Sequence, residues 1–150
     1  MAESRIEVGG IIKVRDLCLI GVMAAPDRPG VGAGVFTALG EAKLNTQFII
    51  QCIDLSGMSN VLFCVLEEDA VRARELVQPV AVSLAAQAVQ ETHHVALLSV
   101  FGPDFRERSG IAGTVFRAMA QHHINILAIS TSISTVTCVI DDSELERALV

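Results

Sequence analysis

Asp27-Arg28-Pro29-Gly30-Val31-Gly32 is the segment with the clearest capacity for chemistry. It joins a strand-like stretch to a helix-like one, where unpaired backbone N–H groups and the helix dipole favour an anion. A tight turn whose glycines permit close helix–sheet packing explains the same residues equally well. A dinucleotide fingerprint would need glycine at Val35 and an acidic residue after a second parallel strand, and neither is found. The Gly-Lys-Ser/Thr ending of a phosphate-binding P-loop is missing too.

Other reactive side chains fit poorly with catalysis. His93-His94 and His122-His123 are adjacent pairs, so their rings diverge on a strand or a helix, and both pairs read as solvated ends of elements. Cys18, Cys52, Cys64 and Cys138 are far apart in apolar stretches and read as buried reduced thiols, with no zinc or CxxC spacing. The acidic runs Glu67-Glu68-Asp69 and Asp141-Asp142 stand at helix starts, where capping explains them. Ser130-Thr131-Ser132 with Ser134 and Thr135 has ordinary turn composition. No serine or cysteine stands in a nucleophile setting, so neither catalytic residues, nor a metal, nor a cofactor is expected.

The elements that position these residues follow an internal repeat. Gly30-Val31-Gly32-Ala33-Gly34-Val35-Phe36-Thr37-Ala38-Leu39 matches Gly110-Ile111-Ala112-Gly113-Thr114-Val115-Phe116-Arg117-Ala118-Met119 at an offset of 80, and Leu44-Asn45 matches Ile124-Asn125. So long a period exceeds the ~20–50 residues of solenoid units and indicates two copies of a small domain. In the first copy Leu17 to Met23 reads as a strand, and Val31, Val35, Ala38, Leu39 and Ala42 fall at helical spacing. Phe48–Ile53 and Asn60–Leu66 read as a hairpin turned by Asp54-Leu55-Ser56-Gly57. Asp69 opens a helix with Ala70, Ala73, Leu76 and Val77 that Pro79 should kink or end, and a short strand is placed near Ala86–Glu91.

In the second copy Val95–Phe101 is the first strand, and Ser109 caps a helix to about His122. Leu127–Thr131 and Val136–Ile140 form a strand pair, and Asp142 caps a last helix. A fourth strand is then lacking, and Ile6–Val14 is the unassigned material that can supply it. The fold class is therefore α+β, two βαββαβ modules over 15–92 and 93–150, with 5–14 contributing a strand to the second. One module is inserted in the other.

Composition narrows the partners. Residues of the AVILMFWYC set make up 51% and charged residues only 19%, more apolar surface than a small monomer easily hides. Some of it should face another subunit. A formal charge of −6, with no Trp or Tyr, argues against nucleic acid. The longest apolar run, Leu17–Ala25, is half the length of a spanning helix, and the first residues carry no export signal. The protein is expected to be cytoplasmic, with no membrane partner.

At this point the residues resemble the ACT family, specifically the tandem ACT regulatory region of aspartate kinases. The resemblance covers nearly the whole chain. It rests on Asp27-Arg28-Pro29-Gly30, on Asn45 with Phe48-Ile49-Ile50-Gln51, on Ser109-Gly110-Ile111-Ala112, and above all on the run from His123 to Ser132. It implies ferredoxin-like modules, association as a homodimer, and an end-product amino acid, threonine or lysine, bound between modules. Asp27 would face the ligand's amino group, with Pro29 in the same turn, while the backbone at Gly30 and Gly32 would hold its carboxylate. Gln51 would contribute its amide, and Asn125-Ile126 would close the pocket. Such a division is sensible for a zwitterion, which needs one acidic and one N–H-rich wall.

A second, pseudo-symmetric pocket would comprise Ser109, Gly110, Ala112, Asn45 and Ser132, and it departs from the family pattern. Lysine-binding members have Glu directly after Ser-Thr-Ser, where this chain has Ile133, and Glu107 and Ser109 replace the Asp and Pro of the first copy. A lysine ammonium beside isoleucine would lack its counter-charge. Threonine or a similar small amino acid is therefore expected at the first pocket, with lysine weak or absent. The expected function is a non-catalytic module that passes amino-acid binding to an aspartate kinase chain, attached or separate. Alternatives are a free-standing sensor of another enzyme and a purely structural dimerisation module.

Overall fold

A computed structural model describes residues 10–102, 110–132 and 134–148. Six strands, β1 (Gly10–Pro26), β2 (Gln47–Ile53), β3 (Met58–Leu66), β4 (Ala88–Phe101), β5 (Ala128–Thr131) and β6 (Thr135–Asp141), alternate with helices α1 (Val31–Glu41), α2 (Ala70–Ser83), α3 (Ile111–Gln121) and the short α4 (Leu145–Ala148). The chain divides into two compact units. One is Asp16–His94; the other takes in residues up to Arg15 and those from Val95 onward.

In the Asp16–His94 unit the elements run β1-α1-β2-β3-α2-β4 and the strand order is β2-β3-β1-β4, the ferredoxin-like arrangement. Antiparallel pairing sets Ile20 opposite Phe63 and Val22 opposite Val61. Cys18, Ile20 and Val22 of β1 pack with Val61, Phe63 and Val65 of β3 against Val31, Val35 and Leu39 of α1 and Ala73 and Val77 of α2. The buried helix positions repeat every three or four residues, so the apolar spacing of α1 and α2 is what docks them.

The other unit has the same order, β4-α3-β5-β6-α4, with strands ordered β1-β4-β6-β5. Its fourth strand is the first part of β1, from ahead of the inserted unit. Ala96, Leu98, Ile111, Met119, Ile124, Val136, Cys138, Ile140 and Leu145 form its core. Arg15 pairs with Asp142 and Glu146, joining that strand to the turn before α4 and to α4 itself.

The repeat is exact through the first helix of each unit. Gly30 and Gly110 both stand before a helix with left-handed backbone, φ 102° and 83°, and Lys43 and His123 both have φ near 60° after it. Beyond the hairpin the offset shrinks from 80 to 75, judged by the 3₁₀ turns Glu67–Asp69 and Asp142–Glu144. A shorter hairpin accounts for it. No heavy atom lies within 4 Å of a Cβ built at Gly30 or Gly110, so only backbone strain opposes a side chain there. Gly30→Ala should cost about 1–2 kcal/mol of stability, read by denaturant unfolding.

Several elements differ from the sequence-based expectation. The stretches 6–14 and Leu17–Met23 are one strand as far as the described residues reach, since β1 is continuous from Gly10; residues 6–9 lie outside them. It also runs past Met23 to Pro26, because a bulge between Val22 and Ala25, with Ala24 at φ 56°, bends the strand without ending it. The separate strands at Ala86–Glu91 and Val95–Phe101 are likewise one strand, β4. Pro79 does not end α2, which continues to Ser83. Glu75 and Pro79 are exposed, so water can take the carbonyl the proline leaves unpaired, while Ala81 and Leu84 bury beyond it.

The last helical segment is capped by Asp141, whose carboxylate accepts from the Ser143 N–H, and not by Asp142. Ser109, Glu107 and Ile133 lie outside the described residues. No helix among the described residues is long and apolar enough to cross a membrane.

Candidate functional site

The turn Asp27–Gly30 and the first turn of α1 make an N–H-rich corner in the Asp16–His94 unit. The first helical hydrogen bond runs from Gly34 N to Gly30 O at 2.9 Å, which leaves the N–H groups of Val31, Gly32 and Ala33 without helical acceptors. Asp27, Arg28, Pro29 and Gly30 are exposed, and Arg28 donates to the Ser83 carbonyl at 3.3 Å, tying the turn to the end of α2.

Gln51 reaches this corner from β2. Its Nε2 donates to Ser59 Oγ at 3.0 Å on the neighbouring strand, and its Oε1 would stand 2.9 Å from a Cβ at Gly32. Ser59 is fully buried and stays hydrogen-bonded, which holds the amide in this orientation. Thus Asp27, Pro29, Gly30 and Gly32 share one corner, and Gln51 lies across Gly32. Next to it Asp54 turns the hairpin, accepting from the Ser56 and Met58 N–H groups and from Asn60 Nδ2. The Met58 N–H foremost, helped by Asn60 and Ser56 against a small burial penalty, keeps the Asp54 carboxyl below the usual range.

Asn125 and Ile126 belong to the other unit, between α3 and β5. Within that unit Gly110 and Ala112 begin α3, where Gly110 O accepts from both N and Oγ1 of Thr114, and exposed Ser132 donates its N–H to Thr135 O at 2.8 Å. Asn45 stands in the Asp16–His94 unit, before β2. The second corner has Ala112 for Gly32 and, at the offset of 80, Thr131 for Gln51, so it offers a methyl group and a hydroxyl where the first offers open backbone and an amide.

Three readings of the reactive residues are corrected. Cys52 is exposed on β2, whereas Cys18, Cys64 and Cys138 are buried. Burial above all pushes those three thiols up, Cys18 and Cys64 to about 12 and Cys138 to about 11, so they are neutral and poor nucleophiles. His93 and His94 lie inside β4 and not at its end. The ring of His93 engages Glu67 and Glu91, and the Glu67 carboxylate accepts from the His94 N–H at 3.0 Å; Asp69 makes no side-chain cap for α2. Hydrogen bonding to Glu67 leads the causes that raise the His93 pKa.

Residues 98–150 match the ACT domain family model. An aspartokinase of Helicobacter pylori is 28% identical over 142 residues, 95% of this chain and 35% of that protein. The chain thus spans about a third of the length of the curated relatives it matches. Among solved structures, an aspartokinase with alpha and beta subunits superposes with TM-score 0.85 at 30% identity, covering 95% of this chain and 93% of that one. The regulatory subunit of aspartate kinase from Thermus flavus gives TM-score 0.86 at 28% identity, covering 95% and 94%. Fold, repeat and likeness agree across almost the whole chain, which belongs to the ACT-domain family, among the regulatory regions of aspartate kinases.

Proposed function

We propose that this chain binds a small amino acid, threonine foremost, at the corner formed by Asp27, Pro29, Gly30, Gly32 and Gln51, and that binding adjusts the activity of an aspartate kinase catalytic chain. The observation that carries the proposal is the Gln51 amide laid over the only glycine in the first two positions of α1, beside N–H groups that lack helical acceptors. The ligand carboxylate meets those N–H groups, its ammonium meets Asp27, and Gln51 meets a polar side chain. Binding shifts a regulatory equilibrium by the difference in its affinity for two arrangements of the protein.

Threonine is favoured over lysine because position 133, where a counter-charge would serve a lysine ammonium in the second pocket, is isoleucine. A homodimer forms through the ACT modules. Ile49 and Ile53, 50% and 59% exposed on the edge strand β2, are apolar surface for it to cover.

A thermal-shift screen of the common amino acids tests the reading. A ligand at a hundred times its Kd stabilises by about 2.7 kcal/mol, which raises the melting temperature of a chain this size by roughly 5–10 °C. Threonine should give that shift, and Asp27→Ala and Gln51→Ala should abolish it. A module with only a structural role would show no shift with any amino acid.

A further inference from the structure

A cluster apart from the effector corner brings together three kinds of metal-ligating side chain. Cys18 of β1, Glu67 at the start of the turn leading to α2, and His93 of β4 each present a ligand atom, and these atoms lie within 4.8 Å of one another. We propose that Cys18, Glu67 and His93 form a binding site for a borderline-soft divalent cation of the Zn2+ class. All three belong to the Asp16–His94 unit, and the pairing of β1 with β3 and β4 converges them from positions far apart in sequence.

The surroundings of each ligand favour the site. Glu67 has one oxygen, Oε2, fixed by the His94 N–H at 3.0 Å, so Oε1 is the oxygen directed at His93 Nδ1. His93 Nε2 lies 2.9 Å from Glu91 Oε2, and Glu91 Oε1 is 3.3 Å from Arg74 Nε. A carboxylate on one ring nitrogen keeps the proton there and the lone pair on the other, as the outer-shell partner of a metal-bound histidine does. Glu91 is thus a positioning residue, with its charge balanced by Arg74.

Charge and size agree with this assignment. Thiolate and carboxylate together neutralise a dication, and a thiolate–imidazole pair selects a borderline-soft metal over Mg2+ or Ca2+. Metal–ligand bonds of about 2.0–2.3 Å place tetrahedral ligand atoms roughly 3.3–3.8 Å apart. The side chains therefore need to draw in by no more than ~1.5 Å, and with three protein ligands a tetrahedral ion would take water as its fourth. The His93 ring lies between the two carboxylates, Nδ1 toward Glu67 and Nε2 toward Glu91, and the metal bonds the Nδ1 lone pair.

The experiment is titration of the full chain with Co2+, followed by Zn2+ competition, with absorption spectra recorded throughout. One Co2+ per chain should bind with thiolate-to-cobalt charge-transfer bands, and Zn2+ should remove them. Cys18→Ala should abolish the bands, His93→Gln should weaken binding at least tenfold, and Cys52→Ser should change nothing. Glu91→Gln should weaken binding about 10–100-fold while leaving the saturated spectrum unaltered, a pattern that general loss of structure would not produce. A folded wild type without the bands, bands that persist in Cys18→Ala, or bands lost in Cys52→Ser would overturn the site. Should Cys18→Ala fail to fold, the exposed position 93 decides, since unchanged affinity in His93→Gln also overturns it.

Discussion

Phe63→Ala is expected to lower the unfolding free energy by about 3–5 kcal/mol, a large part of the ~5–15 kcal/mol that holds a domain folded. Phe63 is fully buried at the centre of β3, opposite Ile20 on one side and Ile49 on the other. Its ring meets Phe36 of α1 edge to face, with centroids 5.5 Å apart and planes at 74°. Truncation removes the apolar burial and that aromatic contact, and it leaves a cavity between strand and helix that rigid neighbours fill poorly. Guanidinium unfolding followed by circular dichroism measures the loss. Leu55→Ala is the control, because Leu55 is wholly exposed at the hairpin turn and its truncation should change stability by less than ~0.5 kcal/mol.

Gly32→Ala should move stability and binding in opposite directions. Alanine inside a helix is favoured over glycine by up to about 1 kcal/mol, and Gly32 has no left-handed backbone to oppose the change. The added methyl would stand 2.9 Å from Gln51 Oε1, so the amide must turn aside, and the strain on its bond to Ser59 offsets part of the helix gain. Yielding moves the amide from the corner and fills the space through which a ligand carboxylate approaches the N–H groups. Threonine affinity should therefore fall at least tenfold, about 1.4 kcal/mol, while the melting temperature without ligand stays level or rises. Titration calorimetry on both proteins, beside their unfolding curves, separates the effects. Equal loss of both would mean that Gly32 serves packing alone.

The two-module architecture is legible in the sequence because the apolar positions of α1 and the glycines before α1 and α3 repeat in step, and a left-handed residue before a helix nearly demands glycine. The insertion of one module in the other is legible too, from the missing fourth strand. What the sequence hides is continuity. A bulge at Ala24 looks like a strand end beside Pro26, and the polar stretch Gln90–His94 looks like a break although both flanks belong to β4. Pro79 misleads because a solvent-facing carbonyl tolerates the lost hydrogen bond.

At the Asp27–Gly32 corner, the strand–turn–helix geometry around Gly30 is readable from local chemistry. Gln51 enters through the family resemblance alone, since its place over Gly32 depends on its bond to Ser59 across the hairpin. The Cys18, Glu67 and His93 grouping leaves no spacing signal whatever. Strand pairing assembles it, and each residue taken singly looks like core, cap or surface.

Calorimetric titration of the chain with threonine and with lysine decides whether the corner takes a small amino acid. Saturable threonine binding that disappears in Asp27→Ala is expected, with lysine binding much more weakly or not at all. Tight lysine binding without threonine binding would contradict it.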